Sequence, residues 1–235
     1  MPISRRHTFP FALVAGVTAL TLLSSLPAGA SRQPSAASVL KAVKVAMAKV
    51  SGVHVSVSSK NGPVVSSVEV DIGATSGMEK ITTGTSHITI VVNSRYAYLS
   101  GNASGLTTLM GLTTAQLKKI GTKSIAIKAG SAPYVNLHGN LTTTVLASML
   151  PAAIGTTVIS APGSKGYLLT WNTAATSSSS KITSVLEISS SSLPVKETIT
   201  SATGSGKTVF SKWGEHVKVK TPTSSSVIAY KKVTG

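Results

Sequence analysis

Val53-His54-Val55-Ser56-Val57-Ser58, followed after one turn by Ser67-Val68-Glu69-Val70-Asp71-Ile72, is the passage that decides the fold. Branched aliphatic residues occupy every second position and polar residues fill the gaps. This is the period of a β-strand with one apolar and one polar face. Asn61-Gly62 supplies a turn between the two runs, and Pro63 keeps the second strand from starting earlier. The pair therefore predicts an antiparallel hairpin with one face turned to a core.

The same pattern extends downstream. Residues 79–82 predict a third strand, Ile88, Ile90 and Val92 a fourth, and Asn93-Ser94 turns into a fifth at Tyr96-Ala97-Tyr98-Leu99. Upstream, residues 38–50 carry Val39, Val43, Ala46, Met47 and Val50 at helical spacing, with Ser51-Gly52 as the stop. Mid-chain, residues 104–110 predict one or two helical turns. Thr113-Thr114-Ala115-Gln116 has the spacing of a capping box, and Gly121 stands where the glycine after a helix belongs. Residues 124–128 predict a strand, and 141–150 an amphipathic helix ending at Pro151. Further strands are expected at 157–160, 166–172, 181–189, 195–201, 207–213 and 217–221, with serine-rich turns at 177–180 and 189–192. The fold class expected is α+β: a curved antiparallel sheet wrapped around or capped by the N-terminal and mid-chain helices.

Residues 1–30 have the form of a secretory signal peptide. Arg5, Arg6 and His7 are basic, an apolar run follows from Phe9 to Leu23, and Leu26-Pro27-Ala28-Gly29-Ala30 places small residues before a cut after Ala30. That run is too short and too interrupted for a membrane span. An extracytoplasmic protein is expected, secreted or in the cell envelope. Residues 31–37 are expected to be a linker, 38–222 a single domain and 223–235 a loose tail. The chain has no cysteine, so disulfides and a cysteine-linked lipid anchor are excluded.

Of the 22 lysines and arginines, two lie in the leader, so 20 basic residues face 6 acidic ones and the formal charge of the rest is near +14. The lysines are spread along the chain, densest at Lys118-Lys119, Lys218/Lys220 and Lys231-Lys232. This dispersal lacks the clustered arginines and interleaved aromatics of a nucleic-acid site, and no nucleic acid is expected as a partner. Attraction to an anionic membrane surface or wall polymer fits the charge, and so does solubility alone.

No residue set announces a reaction. Ser201-Ala-Thr-Gly-Ser-Gly-Lys-Thr208 imitates a phosphate-binding loop but has Ser201 where its first glycine should stand, and an alternating pattern follows instead of a helix. Gly204-Ser205-Gly206 is read as a hairpin turn. His54, His87, His138 and His216 are isolated in sequence, without metal-ligand spacing, and His54 and His87 fall on the polar faces of their strands. No serine elbow occurs, and Asp71, the only aspartate, is expected to point outward and not to orient a histidine. Glu69 and Asp71 share a strand face roughly 7 Å apart, a spacing open to paired-carboxylate chemistry, but without aromatic platforms they read as surface charge. No catalytic residue, metal or cofactor is expected.

Three groups of residues carry a family resemblance. They are Ser124-Ile-Ala-Ile-Lys ahead of Tyr134, the segment 141–150 ending in Pro151, and Leu193-Pro194-Val195-Lys196 running through Phe210-Ser-Lys-Trp213-Gly214 to Val217-Lys-Val-Lys-Thr-Pro222. With the order of elements, they resemble the LolA-like half-barrels, in particular actinobacterial envelope lipoproteins of the LppX/LprG type. The resemblance implies a curved sheet closed on one side by helices around an apolar pocket for acyl chains, in a carrier without chemistry. Such carriers commonly begin with a lipidated cysteine, whereas here Ser31 follows Ala30.

Alternation alone nominates pocket-lining residues: Val55, Val57, Val68, Val70, Ile88, Ile90 and Val92 on the sheet, and Leu146, Met149 and Leu150 from the lid helix. The same positions fit an ordinary packed core. The first expectation is an exported, non-enzymatic carrier of a lipid or other amphiphile. The alternative is a sensor or interaction module of the same fold that binds a protein or an anionic wall polymer.

Overall fold

In the computed structural model, residues 33–153, 155–160, 166–173 and 181–234 are described. The signal peptide and the turn at 177–180 lie outside them.

The alternating passage forms the central hairpin. Strand β1 (Gly52–Asn61) pairs antiparallel with β2 (Val64–Gly73), placing Val55 opposite Val70 and Val57 opposite Val68. The meander continues through β3 (Gly77–Thr83), β4 (Ser86–Val92), β5 (Tyr96–Gly101) and β6 (Ser124–Lys128). On the other side of β1 lie the late strands: β7 (Thr156–Ser160), β8 (Tyr167–Thr173), β9 (Ile182–Ile188), β10 (Pro194–Thr200) and β11 (Gly204–Ser211). The last strand, β12 (Val227–Ala229), runs parallel to β6. All 12 strands form one open, curved sheet in the order β12-β6-β5-β4-β3-β2-β1-β11-β10-β9-β8-β7, a half-barrel whose two ends do not meet. The expected α+β class is the observed one.

Helix α1 (Ala36–Met47) begins two residues before the predicted start, because Ser35 caps it by accepting the Ser38 N–H at 3.2 Å. Val39, Leu40, Val43 and Met47 are buried in the same core as the sheet's inner face. The side-chain amide of Gln33 donates to the Val158 carbonyl at 2.5 Å, which ties the approach to α1 to edge strand β7. Helix α2 (Ala103–Thr108) packs on β4, where Gly105 sits so close to the His87 backbone that a Cβ would collide with it. Helix α3 (Thr114–Ile120) carries the predicted capping box in full, and Gly121 takes φ +58°.

Four expectations need correction. The helix predicted at 141–150 is instead helix α4 (Ala132–Asn140) followed by a 3-10 turn at Thr143–Met149. The run Thr142-Thr143-Thr144-Val145 is β-branched throughout, which disfavours α-helix, and Thr142 bonds back to the His138 carbonyl at 2.9 Å. The strand predicted at 217–221 is irregular: Ser76 takes the Val217 carbonyl at 3.0 Å, and Gly52 and Gly73 abut Val217 as the chain crosses the ends of β1 and β2. Gly204 and Gly206 lie inside β11, and the turn is at 201–203, closed by the Ser201 N–H on the Gly204 carbonyl at 2.9 Å. The C-terminal residues read as a loose tail contain β12 and helix α5 (Tyr230–Thr234), whose Val233 is buried.

Candidate functional site

Cross-strand register places the inward side chains in three rows across the concave face. The first is Ile127, Ala97, Val92, Gly77, Ile72 and Val53. Its side chains are essentially inaccessible. The chain after α4 closes this end, with the Leu141 carbonyl lying where a Cβ on Gly77 would stand and Thr142 bridging to Gly73. The second row is Ile125, Leu99, Ile90, Glu79, Val70, Val55 and Phe210, all buried. The third is Ile88, Ile81, Val68, Val57, Thr208, Glu197, Leu186 and Leu169. Here Val57, Val68 and Ile81 are only partly buried. Burial thus falls along the strands of the central hairpins, from the end closed by the Leu141 segment toward the hairpin tips.

The seven sheet residues nominated from alternation all lie on this face: Val92 in the first row, Val55, Val70 and Ile90 in the second, Val57, Val68 and Ile88 in the third. Leu146, Met149 and Leu150 belong to the same hydrophobic cluster, carried by the 3-10 turn and the residue after it rather than by an α-helix. All ten nominated residues therefore lie in the hydrophobic core cluster.

Sequence reasoning missed the two glutamates on this face. Glu79 is 6% exposed and Glu197 4% exposed. Burial pushes each carboxyl up to about 7. The removal of water disfavours the charged form, and among the described residues no cation pairs with either carboxyl. The phase was available: Glu79 alternates with Ile81, and Glu197 with Ile199, so each shares its face with an inward aliphatic.

The convex face holds a second constellation, which overturns one expectation. Asp71 does orient a histidine: its Oδ1 lies 2.6 Å from His54 Nδ1. His54, on the polar face of its strand as expected, also has its Nε2 3.1 Å from Glu69 Oε2 and 3.2 Å from Ser56 Oγ. The cause is register, which sets His54 opposite Asp71 and Ser56 opposite Glu69. The serine, however, donates to Glu69 at 2.5 Å, so its hydroxyl proton points at a carboxylate and not at the imidazole. β1 is also flanked by β2 and β11, so its N–H groups are committed to the ladders and do not form an oxyanion pocket. The quartet ties two central strands together on the outside. A small cleft of about 120 Å³ beside it is lined by His54, Asp71, Lys212, Glu215, His216 and Lys218.

A third feature is an open groove of about 640 Å³ on the outer side of α1, between Lys41, Val45 and Lys49 and the turn at Ser191, Ser192 and Leu193. Among the described residues, no helix is long and apolar enough to cross a membrane, and no group of three or more histidine, aspartate or glutamate side chains is placed to hold a metal.

Fold and face together define an α+β protein in which one open, curved sheet turns an apolar concave side toward helices. Solved structures similar to this chain include the Mycobacterium tuberculosis lipoprotein LppX, at 17% identity and TM-score 0.44, covering 79% of this chain and 98% of that one. LprF from Mycobacterium bovis is similar at 15% identity and TM-score 0.43, covering 80% and 96%. An uncharacterized conserved protein from Thermus thermophilus is similar at 8% identity and TM-score 0.42, covering 83% and 98%. No family model and no curated protein sequence matches the chain.

Proposed function

We propose that this protein is an exported, non-enzymatic carrier that takes the apolar part of a lipid or other amphiphile against the concave face of its sheet. The observation that supports this best is the second row. Six apolar side chains in register cross seven strands on one face, and the off-sheet members of their hydrophobic cluster come from helical segments and connecting loops rather than from a second sheet. Cover of that kind can shift to admit an acyl chain without breaking strand pairing, since inter-strand hydrogen bonds hold the sheet independently of it. The family resemblance carried by the scaffold residues implies the same use of the face. Val55, Val57, Val68, Val70, Ile88, Ile90, Val92, Leu146, Met149 and Leu150 are the residues proposed to meet the ligand.

Native mass spectrometry of the purified full chain, followed by solvent extraction, tests the proposal. A co-purifying amphiphile is expected. A chain at its sequence mass that also fails to take up added acyl lipid would overturn the carrier function.

A second reading, electrostatic attachment to an anionic membrane or wall polymer, is favoured by a specific juxtaposition. Helices α3 and α5 pack together. The two adjacent-lysine pairs, Lys118-Lys119 and Lys231-Lys232, thus belong to neighbouring elements, are exposed, and have no acidic residue on either helix.

A further inference from the structure

Among the seven residues of the second row, Glu79 alone is polar. Its register partners are Val70 on β2 and Ile90 on β4, both buried. Its Oε1 is buried and has no hydrogen-bond partner among the described residues. Such an atom is costly, because removing a polar group from water without a replacement partner loses its solvation outright. An aliphatic residue would complete the row at no such cost. Glu197, the other carboxylate on this face, differs in having the Thr208 hydroxyl-bearing side chain as its register neighbour.

The position of Glu79 also matters. It sits one row, about 7 Å of strand rise, inside the partly buried third-row residues Val57, Val68 and Ile81. It is separated by another row from the end closed by the Leu141 segment. Within this row, Glu79 is the one side chain able to accept a hydrogen bond from a ligand lying on the concave face.

We propose that Glu79 is the polar recognition group of the concave face and that it selects amphiphiles whose head group carries hydroxyls, such as an acylated polyol. This rests on the carrier reading above. A hydroxyl donates to the unpartnered oxygen whether the carboxyl is ionised or not. Burial holds the group near the point where both forms are populated at neutral pH. A polyol therefore satisfies it without a change of charge in the interior.

The test compares 1-monolaurin with methyl laurate, the same acyl chain without hydroxyls, by native mass spectrometry or calorimetric titration on the full chain. Wild type is expected to bind monolaurin about tenfold or more tightly, the scale of one hydrogen bond to a buried acceptor. Glu79→Met should remove this preference, bringing the ratio of the two affinities close to one, and its thermal midpoint should equal or exceed that of wild type. Glu79→Gln, which keeps an acceptor, should retain part of the preference and serves if the methionine variant does not fold. Equal binding of both ligands by wild type overturns the proposal but not the carrier reading. So does a preference that survives Glu79→Met, or tighter binding of dodecylammonium than of monolaurin. Binding of neither laurate compound overturns both.

Discussion

Glu79 and Glu197 make folding stability depend on pH in a direction opposite to that of ordinary paired carboxylates. Their folded-state values of about 7 lie above the ordinary glutamate value of 4.5, so over that interval the folded chain holds more protons than the unfolded one. The stabilisation is complete below about 4.5, declines as pH rises toward 7, and is fully lost above it. At about 1.4 kcal/mol per pKa unit, each group contributes roughly 3 kcal/mol to that decline. Thermal unfolding should therefore show a higher midpoint at pH 5 than at pH 8, and Glu79→Gln with Glu197→Gln should flatten the profile; a midpoint that climbs from 5 to 8 would contradict this. A single backbone approach gives a second expectation. A methyl group on Gly77 would run into the Leu141 carbonyl, so Gly77→Ala should cost roughly 2 kcal/mol or more in denaturant unfolding. The glycine is visible in the sequence, but the carbonyl that requires it comes from 64 residues away in the chain. The inward aliphatics were legible from period two. Their partners across the sheet were not, and this is why the His54–Asp71 pair went unread.

Where a segment's own residues satisfy its backbone, sequence and structure agree. The α3 capping box is local: the Thr113 hydroxyl accepts the Gln116 N–H at 3.3 Å and Gln116 Oε1 accepts the Thr113 N–H at 2.9 Å. Thr113→Ala should cost about 1 kcal/mol, measured by chemical denaturation. Helix α4 had a readable start in Ser131-Ala132-Pro133, with proline in the first turn. The apolar spacing of the following residues drew the prediction downstream, onto a β-branched run that cannot comfortably hold an α-helix. The C-terminal strand and helix were obscured by serine-rich composition. They form because β6 offers an unpaired edge and because Val233 and Ile120 are buried when α5 meets α3. Deleting residues 227–235 should therefore lower the thermal midpoint by several degrees and promote association through the bared edge of β6, read by light scattering.

Over the whole molecule, charge and concavity make separate predictions. Retention on vesicles containing anionic lipid should fall steeply as ionic strength rises, since the Debye length shrinks from about 10 Å at 0.1 M to about 3 Å at 1 M salt. Replacing Lys118, Lys119, Lys231 and Lys232 with glutamate should weaken retention more than four equivalent changes among Lys41, Lys44, Lys49 and Lys60. Acyl-lipid uptake should be unaffected by either set. By itself, the amino-acid sequence determined the strand period, the polar and apolar face of each central strand, the capping box of α3 and the unbalanced positive charge, because these depend on composition or on residues within a few positions of one another. Only the tertiary structure decided which strands pair and which edge receives β12. It alone brought Ser56, His54, Glu69 and Asp71 together on the outside. Those outcomes depend on register between distant segments, and a shift of one residue would have turned every one of these side chains to the opposite face.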